Sequence, residues 1–178
     1  MFGSSSGIGA AIAIHLSNLG AQVVITGRNA DRLKAIAVQC DQKSTQGLKA
    51  LQVIADLDDE NDCKRLIDKT IESFTKIDVL VNNAAEFNRN SNIQNDDAIH
   101  MFDKTMRTNL RNTFVLTHFA VPHIIKTKGS IVNISSVSAI KPFANALAHC
   151  MAKCAIDMFT RSLAYELGPK GVRVNGIK

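Results

Sequence analysis

The chain has 178 residues, of which 46% are hydrophobic and 21% charged, a composition typical of a globular protein with one hydrophobic core. We therefore expect a single domain over residues 1–178. The formal net charge of +5 comes from scattered lysines and arginines, and the chain has one Tyr and no Trp. It lacks the clustered basic pattern with interleaved aromatics that is typical of nucleic-acid binding, so we expect no nucleic-acid partner.

The first predicted element is a glycine-rich loop that opens a helix. Gly3, Ser5, Ser6, Gly7, Ile8 and Gly9 form most of this loop, and the helix is expected to end at Gly20 with an inward stripe of Ile8, Ala11, Ile12, Leu16 and Leu19. Glycines let a backbone approach a phosphate group closely, and free N–H groups at a helix start attract an anion. Glycine–serine turns are common, so the loop alone is a weak signal, which the strand that follows strengthens.

Strands and helices then alternate, which is typical of an α/β fold with a parallel sheet. The predicted strands lie at residues 22–26, 48–54, 77–81, 131–134 and 172–175, and the helices between them include 31–40, 63–74, 96–126 and 149–166. We predict a doubly wound, Rossmann-like sheet, in which ligands bind at the carboxyl ends of the strands.

Polar residues follow several of these strands. Arg28 follows the first one, and its planar guanidinium suits a phosphate group, the alternative being a solvated arginine. Asp56 follows the next strand and either contacts a ligand or caps the following helix. Asn83 follows a third, and Asn109 lies inside the long helical region, where the alternative is a place on the solvated face.

The stretch from Gly129 to Lys153 brings three reactive groups together. A short buried strand ends at Ser135 and Ser136, and a helix beginning near residue 147 carries His149 and Lys153 four residues apart, on one face. A hydroxyl, an imidazole and an amine are therefore expected at the carboxyl edge of the sheet.

Together these motifs resemble the short-chain dehydrogenase/reductase family. The glycine loop, the Asn82–Ala85 turn, Asn109, and Ser136 with Lys153 occur in the order that the family shows. The resemblance implies hydride transfer between a nicotinamide cofactor and a small-molecule carbonyl or alcohol. It also implies a homodimer or homotetramer formed through the helices that carry Asn109 and His149.

The resemblance also assigns roles to residues. The catalytic set would be Asn109, Ser136, His149 and Lys153. The cofactor-binding set would be Gly3, Ser5, Ser6, Gly7, Ile8, Gly9, Arg28, Asp56, Leu57, Asn83, Ala84 and Lys153, with Asp56 and Leu57 flanking the adenine. Since Gly27 stands where NAD-specific sites place an acidic residue and Arg28 follows it, we expect NADP.

Two departures from the family pattern qualify this interpretation. By the resemblance, we expect the first strand and the C-terminal lid of the family to be missing, and His149 stands where the family has a catalytic Tyr. A nearby ammonium lowers the pKa of a phenol toward neutrality, but it also lowers that of an imidazole, below about 6.5, and so makes the ring a poor acid at pH 7. We expect impaired turnover; the alternatives are an inactive NADP-binding protein and a truncated product.

The remaining features point to the cytoplasm. No apolar run reaches the roughly 18 residues of a membrane span, so we expect no membrane association. Met1 leads directly into the glycine loop rather than into a signal peptide. The four cysteines lack paired C-x-x-C spacing, so we expect no metal and a reducing compartment.

Overall fold

The computed structural model describes residues 3–88 and 91–178. Its helices are α1 (Gly7–Asn18), α2 (Ala30–Lys43), α3 (Glu60–Phe74), α4 (Ala98–Met106), α5 (Asn112–Thr127) and α6 (Leu147–Leu167). Its strands are β1 (Val24–Gly27), β2 (Leu51–Ile54), β3 (Val79–Asn82), β4 (Ser130–Ile134) and β5 (Arg173–Ile177). Every predicted element is present, with ends that differ by a few residues.

The α/β class and the parallel strands are confirmed, but the strands form two sheets. β1 pairs with β2, with Val24 opposite Leu51, and the other sheet has the order β3-β4-β5, with Ser130 of β4 opposite Arg173. A doubly wound sheet would need a further strand beside both β1 and β3. Within the described residues no strand precedes α1, as the sequence predicted, and the parallel strands lie in two sheets.

The chain divides into two compact units. The first contains the residues up to Lys76 together with Val81–Ala84, and the second contains Ile77–Leu80 and Ala85–Lys178. In the first unit, α1 and α2 pack on β1 around a core of Ala13, Val23, Ile25, Leu33, Ala37 and Cys40. The apolar spacing of Leu33, Ile36, Ala37 and Cys40 predicts this inward face of α2, and all four lie in the core or pack against it.

The inward face of α1 differs from the predicted stripe. Ile8 and Leu19 are 65% and 66% exposed, whereas the buried residues of this helix are Gly9, Ala10, Ala13 and Ser17. Small side chains allow neighbouring backbone to approach the helix closely. The spacing of large hydrophobic residues, on which the prediction rests, does not show where such an approach occurs. The helix is therefore rotated so that its small residues face inward.

In the second unit, α6 packs on β5, and the start of β4 is tied to the residues that precede β3. Thr127 Oγ1 donates to the carbonyl of Ile77 at 2.7 Å, and the N–H of Ser130 donates to that of Asp78 at 2.9 Å. A Cβ at Gly129 would overlap the Asp78 carbonyl oxygen, so glycine is required there. These contacts set the register at the start of β4, and Ser136 lies two residues beyond its other end.

The helix expected over residues 96–126 is interrupted near its middle. Residues Arg107–Arg111 form a five-residue π-helical turn between α4 and α5, and Asn109 lies buried within it. Such turns are rare and occur often at functional sites. Asn109 is 1% exposed, so the alternative of a place on the solvated face is wrong.

The helices and the potential metal ligands of residues 3–88 and 91–178 also bear on function. None of the helices in these ranges is both long and apolar enough to cross a bilayer. The same ranges contain no group of three or more His, Cys, Asp or Glu side chains placed to hold a metal ion.

Candidate active site and cofactor-binding loop

The glycine loop of the first unit is a tightly packed turn. Gly3 and Gly7 adopt positive φ angles of +58° and +55°, a region that favours glycine. A Cβ at Gly9 would overlap the carbonyl oxygen of Gly3 and come within 2.6 Å of Asn83 Nδ2. Asn83 Nδ2 also donates to the Gly3 oxygen at 3.2 Å, so the predicted cofactor residues on these two segments do meet.

Ser4, which the sequence did not assign to the site, anchors the loop. It is fully buried, its N–H donates to the Thr26 carbonyl at 3.2 Å, and its Oγ accepts from the Thr26 N–H at 2.9 Å. Because Ser4 holds one side of the loop against β1, Ser6 and Gly7 remain exposed at the start of α1. The Ser6 side chain makes no capping hydrogen bond to α1, which leaves the helix start suited to an anion.

The end of β1 is suited to a second phosphate group. A Cβ at Gly27 would lie 2.7 Å from Ser5 Oγ, so there is little room for an acidic side chain at this position. Arg28 follows and is exposed, and Asn29 begins α2 by accepting the Arg32 N–H at 2.9 Å. The exposed guanidinium of Arg28 beside this crowded glycine is an arrangement suited to a phosphate group.

Asp56 is not the cap of α3. That role belongs to Asp59, whose Oδ1 accepts the N–H of Asn61 at 2.8 Å. Asp56 Oδ1 instead accepts the N–H of Asp58 at 3.2 Å, and its own N–H donates to Asp62 Oδ2 at 2.8 Å. The helix-cap alternative for Asp56 is wrong, because Asp59 is the cap of α3. The contacts of Asp56 and Leu57 with an adenine, and the cofactor-binding role of Ala84, stay predictions.

In the second unit, Asn109 and His149 meet over the backbone of Glu86. Asn109 Oδ1 accepts the N–H of Glu86 at 2.6 Å, and its Nδ2 donates to the Glu86 carbonyl at 2.8 Å. His149 Nδ1 lies 3.3 Å from both Asn109 Nδ2 and the Glu86 oxygen. The ring of Phe87 packs edge-on against the imidazole at 4.7 Å, so the ring is held from several sides.

The environment of His149 disfavours its charged form. Burial is the largest cause that lowers the pKa of His149 below its ordinary 6.5, and the charge of Lys153 lowers it further, while the hydrogen bond to the Glu86 carbonyl opposes both. The expected direction is confirmed. The expected cause, the charge of Lys153, contributes less than burial, because the depth to which the ring is enclosed has no sequence signal.

Lys153 lies one helical turn further along α6 and is 4% exposed. Its Nζ donates to the carbonyl of Ile134 at 2.7 Å. Burial lowers the pKa of Lys153 from 10.5 to about 8, against the opposing charge of Asp157. The amine therefore remains mostly protonated at pH 7 and lies near the end of β4.

Ser136 follows the end of β4 and is half-buried. Its Oγ accepts from Ser138, from the N–H at 3.1 Å and from the hydroxyl at 2.7 Å, so it caps the short 3-10 turn Val137–Ala139. Its hydroxyl hydrogen is not used in either contact and is available to a ligand. The structure thus joins Asn109 to His149, puts Lys153 on the same helix, and sets Ser136 two residues beyond the carbonyl that Lys153 binds.

Besides Ser4, sequence reasoning missed three groups that contribute to these sites. They are the backbone of Glu86, the Asp62 carboxylate that binds the Asp56 N–H, and Asp157, which accepts a hydrogen bond from Ser135 at 2.6 Å. Backbone groups carry no sequence signal of their own. Asp157 had one available signal, since it lies four residues after Lys153 on the same helix face.

Comparison with known proteins gives a consistent result. The family model described as short chain dehydrogenase matches residues 1–178. The NADPH-dependent aldehyde reductase 1, chloroplastic, of Arabidopsis thaliana is 36% identical, over 98% of this chain and 62% of its own length. The glucose and ribitol dehydrogenase of Daucus carota is 33% identical, over 98% and 61%.

Solved structures agree with this result. The L-sorbose reductase from Gluconobacter frateurii, complexed with NADPH and L-sorbose, has a TM-score of 0.93 and 30% identity, over 100% of this chain and 66% of that one. A short-chain dehydrogenase/reductase of unknown function from Caenorhabditis elegans, with cofactor, has a TM-score of 0.88 and 36% identity, over 99% and 66%. This chain spans 61–62% of the length of the two curated relatives.

Proposed function

Because the chain belongs to the short-chain dehydrogenase family, we propose that it is an NADP-dependent oxidoreductase that interconverts a carbonyl and an alcohol, with catalysis weakened by His149. The observation that carries the proposal is the convergence of His149, Asn109 and the Glu86 backbone, one helical turn from a buried Lys153. These groups are arranged for proton transfer, and the family supplies the reaction to which that transfer belongs.

The preference for NADP is supported by Gly27 and Arg28. An acidic side chain at position 27 would approach Ser5 Oγ, whereas the exposed guanidinium of Arg28 suits a phosphate dianion. The Arabidopsis relative is NADPH-dependent by name, and the Gluconobacter reductase is complexed with NADPH. When bound, the nicotinamide cofactor supplies or accepts the hydride.

The chain's own residues would orient the substrate and manage the proton. The Ser136 hydroxyl would donate to the substrate oxygen, and the Lys153 ammonium would favour negative charge that develops on it. Reduction of a carbonyl also needs a proton at that oxygen, and His149 stands where it would be supplied. Since burial and Lys153 keep the imidazole neutral, few molecules carry that proton at pH 7.

A second candidate function is cofactor binding without turnover, as in a sensor or a partner subunit. The same lowered pKa of His149 favours it, because a site that lacks a charged acid can still bind a nucleotide. Both candidates predict NADPH binding, and only the first predicts measurable reduction of a carbonyl.

The test compares the wild-type chain with His149→Tyr. NADPH oxidation is measured with a panel of carbonyl compounds between pH 5.5 and 8, and NADPH binding is followed by fluorescence. We expect the tyrosine variant to be about 10²–10⁴-fold faster at pH 7, the range typical of general acid catalysis. We expect wild-type turnover to rise as the pH falls toward the lowered pKa of His149, because only the protonated ring is an acid.

His100→Tyr is the matched control, because it makes the same replacement at an exposed position on α4. It should leave turnover unchanged. Equal rates of wild type and His149→Tyr at pH 7 would contradict the proposed weakening of catalysis. NADPH binding without turnover in either protein would select the second candidate function.

Self-association and cellular location form part of the same proposal. α5 and α6 expose large apolar side chains, including Phe114 at 57% and Met158 at 58%, and Phe114 packs near Phe159 with ring centroids 5.9 Å apart. We propose a homodimer or homotetramer formed through these helices, which light scattering would measure. The four free thiols agree with the cytoplasm as the proposed compartment.

A further inference from the structure

Helix α6 holds the end of β4 through three side chains. Thr160 Oγ1 accepts from Asn133 Nδ2 at 2.9 Å, Lys153 Nζ donates to the carbonyl oxygen of Ile134 at 2.7 Å, and Asp157 Oδ1 accepts from Ser135 Oγ at 2.6 Å. The three contacts fall on consecutive residues, two at the end of β4 and the third just beyond it. The next residue along the chain is Ser136, so these contacts determine where its hydroxyl lies.

Asp157 makes the contact closest to Ser136, and it remains ionised. Burial raises the pKa of its carboxyl, but hydrogen bonds from Lys178 and Ser135 outweigh burial and hold the pKa below its ordinary value. Lys178 Nζ lies 2.8 Å from Asp157 Oδ2, and the charge of Arg161 adds to the effect. The carboxylate is thus a fixed negative charge inside the second unit.

The charge of Asp157 acts on Lys153. The two residues lie four apart on α6, and the charged groups that affect the Lys153 amine are this carboxylate and, when protonated, His149. Burial favours the neutral amine, and the carboxylate favours the ammonium. A neutral amine could not stabilise negative charge on a substrate oxygen.

We propose that Asp157 is a positioning residue of the candidate site, which holds Ser135 at the end of β4 and keeps Lys153 in its ammonium form. The catalytic meaning of both actions rests on the proposed oxidoreductase function. Asp157 acts through Ser135 and Lys153 without touching the substrate or the cofactor.

The test uses two variants of the full chain that separate the two actions. Asp157→Asn keeps an oxygen that can accept from Ser135 but removes the charge, whereas Ser135→Ala removes the hydrogen bond but keeps the charge. The Lys153 titration midpoint is measured by NMR with lysine labelled at Cε with ¹³C, and the signal is assigned with Lys153→Arg. We expect a midpoint near 8 in the wild type.

Asp157→Asn should lower that midpoint by about one pH unit, as expected from the loss of a nearby opposite charge. Ser135→Ala should leave it unchanged, and Asp157→Glu should restore most of the wild-type value. Asp68→Asn, an exposed carboxylate on α3, is the matched control and should have no effect. An unchanged midpoint in Asp157→Asn, or an equal fall in both Asp157→Asn and Ser135→Ala, would overturn the proposal.

Lys178→Met keeps the proposal testable even if Asp157 variants do not fold. Without the cation beside it, the Asp157 carboxylate should attract the Lys153 proton more strongly, so the midpoint should rise. A fall would contradict the proposal.

The readout on turnover uses His149→Tyr as the parent. In that background, Asp157→Asn should shift the pH profile of the catalytic rate toward lower pH, while Ser135→Ala should lower the rate at every pH. If His149→Tyr neither binds nor oxidises NADPH, the proposed function is refuted. The Lys153 titration would still test the effect of Asp157 on the amine. A normal parent whose pH profile does not move in Asp157→Asn would refute the role of Asp157 alone.

Discussion

The glycine loop of the first unit and the His149 cluster of the second depend on their residues in different ways. The loop uses backbone groups and empty space, so what matters at Gly9 is the absence of a side chain. The cluster brings ionisable side chains together: His149 Nδ1 lies 3.3 Å from Asn109 Nδ2 and from the Glu86 oxygen, and burial of the ring works against its protonation. The loop therefore depends on shape, whereas the cluster depends on protonation as well as on geometry.

The largest effect on this difference between loop and cluster is expected from Gly9→Ala, which should weaken NADPH binding. The added methyl group would overlap the Gly3 carbonyl oxygen and approach Asn83, so the loop would have to open. Overpacking of this kind typically costs about 1–3 kcal/mol, and we expect NADPH binding to weaken by about 10- to 100-fold, measured by fluorescence titration.

Gly168→Ala is the matched control, because a Cβ there meets nothing within 4 Å and its φ is −53°. It should bind NADPH like the wild type. Wild-type binding by Gly9→Ala would show that the loop does not depend on the space at this position.

A smaller effect, on stability, is expected from Lys153→Met. The buried ammonium has a pKa of about 8 in the folded chain and an ordinary value of 10.5, so below pH 8 the folded state bears the full cost of holding the charge. Replacement should raise the free energy of unfolding at pH 7 by about 1–2 kcal/mol, after allowance for the lost hydrogen bond to Ile134. The gain should shrink as the pH rises from 8 to 10.5, where the wild type regains stability.

Urea unfolding at pH 7 and pH 10 would measure this difference. Lys64→Met changes an exposed lysine on α3 in the same way and should have little effect at either pH. A less stable Lys153→Met at pH 7 would mean that the ammonium supports the fold as well as the site.

The smallest effect is expected from Arg28→Gln. Loss of the exposed guanidinium should weaken NADPH binding by about tenfold and leave NADH binding unchanged, because only NADPH carries the additional phosphate. Lys43→Gln, at the other end of α2, also removes one positive charge. It controls for the effect of the protein's net charge on the binding of an anionic cofactor. An equal loss for both cofactors would remove Arg28 from the list of specificity residues.

Much of the fold could be predicted because periodicity and strand-end residues are local signals. The burial of Leu33, Ala37 and Cys40 on α2 and the place of Asn109 inside a helical region follow directly from the sequence. The face of α1 could not be predicted in this way, since Gly9 and Ala10 are buried by the close approach of backbone while the larger Ile8 remains exposed.

Sequence spacing indicated which side chains could form the candidate site, and those roles stay predictions, but it did not indicate the backbone and charged groups that contact them. Ser136, His149 and Lys153 were identified by type and spacing, but the Glu86 carbonyl is a backbone group that any residue would supply. The role of Asp157 could not be predicted from its contact with Ser135, because Ser135 appears in the sequence only as a polar residue at the end of a strand. The strands form two sheets because, in the described residues, β1 and β3 have no common neighbouring strand to which both could hydrogen-bond. No single residue of the sequence signals this division.

The π-helical turn at Arg107–Arg111 has a consequence for the two helices that it joins. An α-helix advances about 100° per residue, so the extra residue of a π turn changes the phase of every side chain that follows. Loss of one residue from this turn would straighten the hydrogen-bond pattern and rotate the faces of α5 by that angle, moving Leu116 and Ala120 out of the interior. The length of this segment is therefore constrained as tightly as its composition.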